Sequence, residues 1–258
     1  MKKKKYKSIY GPVPSWRLGA SLGIDPISMQ QKVCSFDCLY CQIGTTLALS
    51  DKRQLFVKSE DILKELNSLP PVKIDYITFA GAGEPTLAVN LGEMIQDIKK
   101  TRKEKIAVIS NASLFYREDV RRDLLLADLV VAKLDASNQE ILTAINQPIK
   151  TSNMENIISG IKAFKLIYKG RLALQIMFIE QNKEQAQAIA AIAKEINPDE
   201  VQINTPLRPS KVKPLSKTEL DKIEGYFKGL QVVSVYNAEK KMVDSLSDED
   251  TLKRRGKV

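Results

Sequence analysis

Three cysteines, Cys34, Cys38 and Cys41, fall in one eight-residue window, and the other 250 positions hold none. The C-x3-C-x2-C spacing lets a single loop bring three thiolates to one metal centre. Three is one short of a closed tetrahedral set, so a centre held here keeps one position open for another molecule. Histidine is absent from the chain. That removes the commonest general acid–base and the commonest nitrogen ligand. Ser-His-Asp catalysis, Cys-His catalysis and His-containing zinc sites are excluded. Soft sulfur donors without histidine favour an iron–sulfur cluster over zinc. The alternative is a zinc knob completed by an acid such as Asp37 or by water, although structural zinc normally draws on two separated cysteine pairs.

The elements that must position this loop follow from hydrophobic patterning. Ser21–Asp25 reads as a short strand leading into the cysteine window. Strands are then expected at 75–80, 105–110, 129–134, 171–179 and 200–204, each apolar on both faces as buried parallel strands are. Helices are expected at 59–66, with Ser59 as its cap, and at 91–100, 118–127, 153–168 and 183–196. Strict alternation of about six β–α units predicts an α/β fold with a parallel sheet, either an open doubly wound sheet or a partly closed barrel. Ligands in both meet the C-terminal ends of the strands. The polar residues that interrupt the apolar runs fall at those ends: the cysteine loop, Gly83-Glu84, Ser110-Asn111, and Lys133 with Asp135. A helix at 217–228 and a strand at 231–236 follow a Pro-rich exit at 205–210.

The bulk composition sets wider bounds. The 258 residues are 43% hydrophobic, which suits one large globular domain. No apolar run reaches the roughly 20 residues that cross a bilayer, and clustered cysteines argue for a reducing, cytoplasmic setting rather than a disulfide framework. The net charge of +9 resides at the two ends. Residues 1–7 carry five lysines, residues 253–258 carry four bases, and residues 8–252 balance at 31 basic against 31 acidic residues. Such ends read as solvated, frayed termini, with contact to nucleic acid as the other reading. Gly81-x-Gly83 after a strand fits a dinucleotide turn poorly, because Thr86 stands at the third glycine position and Pro85 removes an amide donor.

Cys34-x3-Cys38-Leu-Tyr40-Cys41 resembles the signature loop of the radical SAM enzymes. The flanking Tyr10-Gly-Pro-Val-Pro-Ser15, Arg17-Leu-Gly19 and Gln42-Ile-Gly44 are similar to a subgroup of wyosine-synthase-like iron–sulfur oxidoreductases. Gly81-Ala-Gly-Glu-Pro-Thr-Leu87 and Asn204-Thr-Pro-Leu-Arg-Pro209 are similar to it as well, so the likeness runs in order through residues 8–210. It implies a partial, open β/α barrel as the radical SAM core over 8–210, a basic N-terminal tail over 1–7 and a C-terminal extension over 211–258. Longer members of the subgroup continue past a stretch like Leu252–Arg255 into a further domain.

The resemblance further implies a [4Fe–4S] cluster on Cys34, Cys38 and Cys41. S-adenosylmethionine (SAM) would take the fourth iron, and a low-potential donor of the flavodoxin or ferredoxin type would deliver an electron. Reductive cleavage of SAM would give a 5′-deoxyadenosyl radical that abstracts hydrogen from a substrate the sequence does not name. Tyr40 would lie near the adenine. Gly83 and Glu84 would stand where the family's Gly-Gly-Glu element meets the SAM amino group, with Ala82 in place of its first glycine. Ser110 and Asn111 would contact ribose or carboxylate, and Lys133 would pair with the SAM carboxylate. Asp135 is assigned either to that site or to a plain capping role. Gln175 and Asn204 are either site residues or satisfied buried amides, Phe36 reads as packing, and Arg17 and Arg208 either meet an anionic substrate or lie ion-paired at the surface. A tRNA substrate is a second reading, against which stands the absence of cysteines for a second cluster. A non-catalytic iron–sulfur or zinc module is a third.

Overall fold

A computed structural model describes residues 6–239 and 242–256. The chain opens with a hairpin, β1 (Ile9–Ser15) and β2 (Gly19–Ile24), followed by the cysteine loop with its two short strands β3 (Val33–Cys34) and β4 (Ala48–Leu49). Then come α1 (Ser59–Asn67), β5 (Tyr76–Phe79), α2 (Leu91–Thr101), β6 (Lys105–Ser110), α3 (Glu118–Leu124) and β7 (Leu129–Lys133). Two consecutive helices, α4 (Gln139–Asn146) and α5 (Met154–Ile167), precede β8 (Arg171–Met177), α6 (Ala186–Ile196) and β9 (Glu200–Asn204). The chain finishes with α7 (Lys217–Glu224), β10 (Val232–Ser234) and α8 (Asp248–Arg255).

Eight strands form one sheet in the order β1-β2-β5-β6-β7-β8-β9-β10. All neighbours are parallel except β1, which runs antiparallel to β2. The sheet curls into an open half-barrel with helices outside, as the alternation of β–α units predicts. Alternate residues separate the two faces. Ile77, Phe79, Ile106, Val108, Val130, Leu172, Leu174, Val201 and Ile203 join the helices in the large outer core. Ala107, Leu129, Val131 and Ala173 form a smaller cluster on the concave side, plugged by Leu18 from the β1–β2 turn. Outer helices seat closely: Phe115 meets Phe164 edge-on at 5.5 Å, and a Cβ at Gly160 would lie 2.5 Å from the Tyr116 nitrogen.

Several local expectations are corrected. Helix α1 begins at Ser59, with Lys58 in the N-cap position and no side-chain cap; the Ser59 hydroxyl lies 3.5 Å from Asn90 Nδ2. Strand β1 and helices α4 and α8 are additional to the pattern read from the sequence. The C-terminal basic run is not a frayed end up to residue 255: Lys253, Arg254 and Arg255 close α8, and Arg254 is only 4% exposed. Lys2, Lys3, Lys4, Lys5 and Lys257 of the basic ends lie outside the described residues. No helix among the described residues is long and apolar enough to cross a membrane.

Candidate cofactor site

Backbone bonds hold the cysteine loop on both sides. Val33 pairs with Gly83 across a parallel bridge, Glu84 N–H donates to the Val33 carbonyl at 3.1 Å, and a Cβ at Gly83 would collide with that carbonyl. Glycine is therefore dictated here by close approach of two backbones. On the other side, Leu39 N–H donates to Ile145 O at 2.9 Å and Asp37 N–H to Asn146 O at 3.0 Å, tying the loop to the end of α4. Asp37, the acid considered as a zinc ligand, is used inside the loop: it accepts from Thr46 N–H at 2.7 Å and sits 3.9 Å from Lys32 Nζ.

Each cysteine sulfur faces one side-chain donor. Asn111 Nδ2 lies 3.6 Å from Cys34 Sγ, Asn146 Nδ2 3.3 Å from Cys38 Sγ, and Lys32 Nζ 3.0 Å from Cys41 Sγ. None of the three cysteines is in a disulfide. Three N–H donors aimed at three sulfurs suit thiolates, whose lone pairs accept. Burial alone works the other way: it pushes the Cys34 thiol well up and the Cys38 thiol up to about 11. A bound cationic centre is what reverses that preference. Lys32 is held above its ordinary value: burial works against its charge, and the sulfurs, Cys41 foremost, outweigh it.

Among the described residues no three His, Cys, Asp or Glu side chains converge tightly enough to hold a metal ion. A single tetrahedral ion with metal–sulfur bonds of about 2.3 Å would draw three sulfurs to within roughly 4 Å of one another. A multi-iron cluster spreads its thiolates more widely, since each binds a different iron. Three soft sulfur donors are the kind of set that iron–sulfur clusters take.

Two polar networks flank the loop. On one side, Glu84 is 2% exposed and its carboxylate accepts from Thr86 N–H, Thr86 Oγ1, Ser110 Oγ and Asn111 N–H at 2.7–3.1 Å. Burial raises its pKa, opposed by these four donors. Asn111 Nδ2 donates to Ser35 Oγ at 2.7 Å as well as facing Cys34. The predicted residues Gly83, Glu84, Ser110 and Asn111 are thus brought together, with Glu84 as the hub that orients Asn111. On the other side, Tyr40 Oη donates to Asp135, and Asn146 Nδ2 reaches Cys38, Tyr40 Oη at 2.7 Å and Asp135 at 3.2 Å. Asp135 also accepts from Met177 N–H at 2.7 Å and pairs with Lys133 Nζ at 3.2 Å, which stands 5.0 Å above the Tyr40 ring. Tyr40, Lys133 and Asp135 are brought together too, and Asp135 does more than cap the strand end.

The remaining candidates divide. Asn204 turns its side chain back to accept from Thr205 N–H at 2.9 Å. Gln175 is buried between Lys133 and Gln202 in the strand register. Phe36 packs in the main core. Three residues that position the site carry no signal in the sequence. Lys32 and Asn146 are sulfur donors. Asp25, 1% exposed, accepts from Ile27 N–H and Ala82 N–H beneath the Gly81–Gly83 turn, and a Cβ at Gly81 would lie 2.6 Å from its Cγ. Arg53 adds a clamp: it donates to Thr86 O and Ala88 O and pairs with Asp119 and Asp123, joining the Glu84 turn to α3.

A half-barrel with three cysteines at its rim defines a class. The family model of the radical SAM superfamily matches residues 30–193, and the chain belongs to that superfamily, whose members use a [4Fe–4S] cluster and SAM. Within it, this chain is 42% identical over 213 residues to UPF0026 protein slr1464 of Synechocystis, covering 82% of this chain and 79% of that protein. Solved structures with the same fold include SuiB of Streptococcus suis bound to S-adenosylmethionine, with a TM-score of 0.62 at 15% identity over 82% of this chain. This chain spans 49% of SuiB. Archaeal TYW1 aligns with a TM-score of 0.58 at 15% identity, over 82% of this chain and 72% of its own.

Proposed function

We propose that Cys34, Cys38 and Cys41 bind a [4Fe–4S] cluster, that SAM occupies the iron left without a protein ligand, and that the chain is a radical-generating enzyme. The observation that carries this is the set of three sulfurs, each met by its own N–H donor, at the C-terminal rim of the parallel sheet. Bound there, the two groups would supply one-electron cleavage of the SAM sulfonium, releasing methionine and a 5′-deoxyadenosyl radical able to take hydrogen from an unactivated carbon.

The chain's own residues supply binding, orientation and exclusion of water. Asn111, Asn146 and Lys32 direct N–H groups at the sulfurs and stabilise their negative charge. Lys133, held by Asp135 over the Tyr40 ring, is assigned to the SAM carboxylate as a point charge. Gly83 keeps the β5 turn against the cysteine loop, where its backbone groups can meet the SAM amino group. Glu84 holds Ser110 and Asn111 in place, and Tyr40 forms the wall beside the adenine. The electron is assigned to a low-potential flavodoxin- or ferredoxin-type donor.

Anaerobic reconstitution with iron and sulfide tests the metal assignment. About four irons and four acid-labile sulfides per chain are expected, lost together in Cys38→Ala. One zinc per chain and no sulfide would overturn it.

A further inference from the structure

Helix α8 reaches the turn after β5 from beneath. Its Arg254, only 4% exposed, extends Nε to 3.6 Å from Asp25 Oδ2, and that nitrogen is buried with no hydrogen-bond partner. The rest of the guanidinium is anchored: Nη2 donates to the Lys7 carbonyl, and Nη1 donates to the Asp250 carbonyl at 3.4 Å. Asp25 follows the C-terminal end of β2. Its N–H donates to Ser8 O at 2.8 Å, and its carbonyl accepts from Ser28 Oγ at 2.6 Å. The carboxylate is thus held by its own backbone and by Arg254. It meets the Gly81–Gly83 turn by accepting from Ala82 N–H at 3.3 Å through Oδ2, while Oδ1 accepts from Ile27 N–H at 3.1 Å.

The bond from Ala82 fixes more than one atom. The peptide joining Gly81 to Ala82 is trans, and in a planar trans peptide the carbonyl points opposite to the N–H. With the Ala82 N–H directed at Asp25, the Gly81 carbonyl is directed away from it. That carbonyl accepts from no donor among the described residues, although a backbone acceptor normally has a partner. Gly81 stands at φ +152°, and a Cβ there would lie 2.6 Å from Asp25 Cγ. Glycine allows this close approach, and it also leaves the peptide free to flip unless something holds it. Burial pushes the Asp25 carboxyl up, and Ser28, Arg254, Ala82 and Ile27 oppose the rise. A buried ion pair contributes little to stability beyond apolar packing of the same size; what this pair secures is the orientation of the turn above it.

We propose that Asp25, paired with Arg254, locks the Gly81–Ala82 peptide so that the Gly81 carbonyl is presented to the ammonium group of SAM. An ammonium has three donors and no acceptor. A carbonyl facing it attracts it, whereas the same peptide flipped turns an N–H towards it and repels it. Asp25 and Arg254 are positioning residues, acting through the turn rather than by contact with SAM. The C-terminal helix thereby becomes part of SAM recognition. Both roles rest on SAM occupying the open iron, as proposed above.

The test has two parts. In the first, exchange of the Ala82 amide proton is followed by NMR in the full chain without SAM. Protection comparable to that of the β5 amides is expected, falling roughly tenfold or more in Asp25→Asn and Arg254→Met. Rapid exchange of that amide in the unaltered chain overturns the proposal whether or not the variants fold. In the second, equilibrium binding to anaerobically reconstituted protein of equal iron content compares SAM with its analogue carrying hydrogen in place of the amino group. Asp25→Asn and Arg254→Met are expected to weaken SAM roughly tenfold or more and to leave the affinity for the analogue unchanged, and Arg254→Lys is expected to recover most of the loss. Unchanged SAM affinity in the variants overturns the proposal alone. An equal loss for SAM and analogue also overturns it, marking a general distortion of the turn. An unaltered chain that takes up no cluster, or loads its cluster and binds no SAM, removes the SAM reading and the proposal with it.

Discussion

Asn111, Asn146 and Lys32 give the three cysteine sulfurs unequal surroundings: two neutral amides and one ammonium. A charged donor close to a cluster stabilises its reduced, more negative state. Lys32→Met is therefore expected to shift the cluster potential to a more negative value in a redox titration, with iron content retained; an unchanged potential would show that Lys32 serves the loop only through its bond to Gly44 O at 2.8 Å. Asn146 joins Cys38, Tyr40 and Asp135 through a single nitrogen. Asn146→Ala leaves a buried carboxylate and a buried hydroxyl short of a donor, so a loss of about 1–3 kcal/mol in denaturant unfolding is expected. Asn111 was legible as a polar residue at a strand end, whereas Lys32 and Asn146 have no local sequence signature. An asparagine at the end of a helix reads as a terminus, and only the tertiary fold shows that it points at a sulfur.

The turn after β5 and the helix α3 are joined by Arg53, and both can be probed separately. Gly83→Ala would push the Val33 carbonyl aside and is expected to lower cluster occupancy, read from absorbance and iron content, while the chain stays folded. Asp119 is held below the ordinary carboxylate range by hydrogen bonding to Arg117, with Arg53 adding to it. A carboxyl lowered in the folded state stabilises above its unfolded pKa, near 4, and that contribution is lost as pH falls. Melting temperature should consequently drop less in Asp119→Asn than in the unaltered chain between about pH 5 and pH 2. The parallel strands were legible because each is apolar on both faces, and the rim residues because they interrupt those runs at the strand ends. Strand β1 was not: Gly11, Pro12 and Pro14 break the pattern of a strand, and it survives as an edge strand paired to β2 alone. Helix α8, Asp248–Arg255, has no apolar stripe and is placed by polar contacts that no periodicity reveals.

Those contacts make the C-terminal helix part of the barrel. Leu246 N–H donates to Gly11 O at 2.8 Å, Gly11 N–H to Thr251 Oγ1 at 3.1 Å and Tyr6 N–H to Asp250 at 3.0 Å, so α8 covers the free edge of β1. Arg254 bonds the Lys7 carbonyl and lies 3.6 Å from Asp25, the carboxylate beneath the Gly81–Gly83 turn. Removing one member of a buried pair leaves the other uncompensated, so Arg254→Met is expected to cost about 3–5 kcal/mol in denaturant unfolding. The charge excess read as a solvated end is, through Arg254, built into the interior, while the sheet and the three-cysteine loop keep the places their sequence implies. We propose that these parts together generate a radical from SAM. Anaerobically reconstituted protein, given SAM and a strong one-electron reductant, is predicted to release 5′-deoxyadenosine and methionine, with none formed by Cys38→Ala. A protein carrying its full complement of iron and sulfide that releases no 5′-deoxyadenosine would contradict the account.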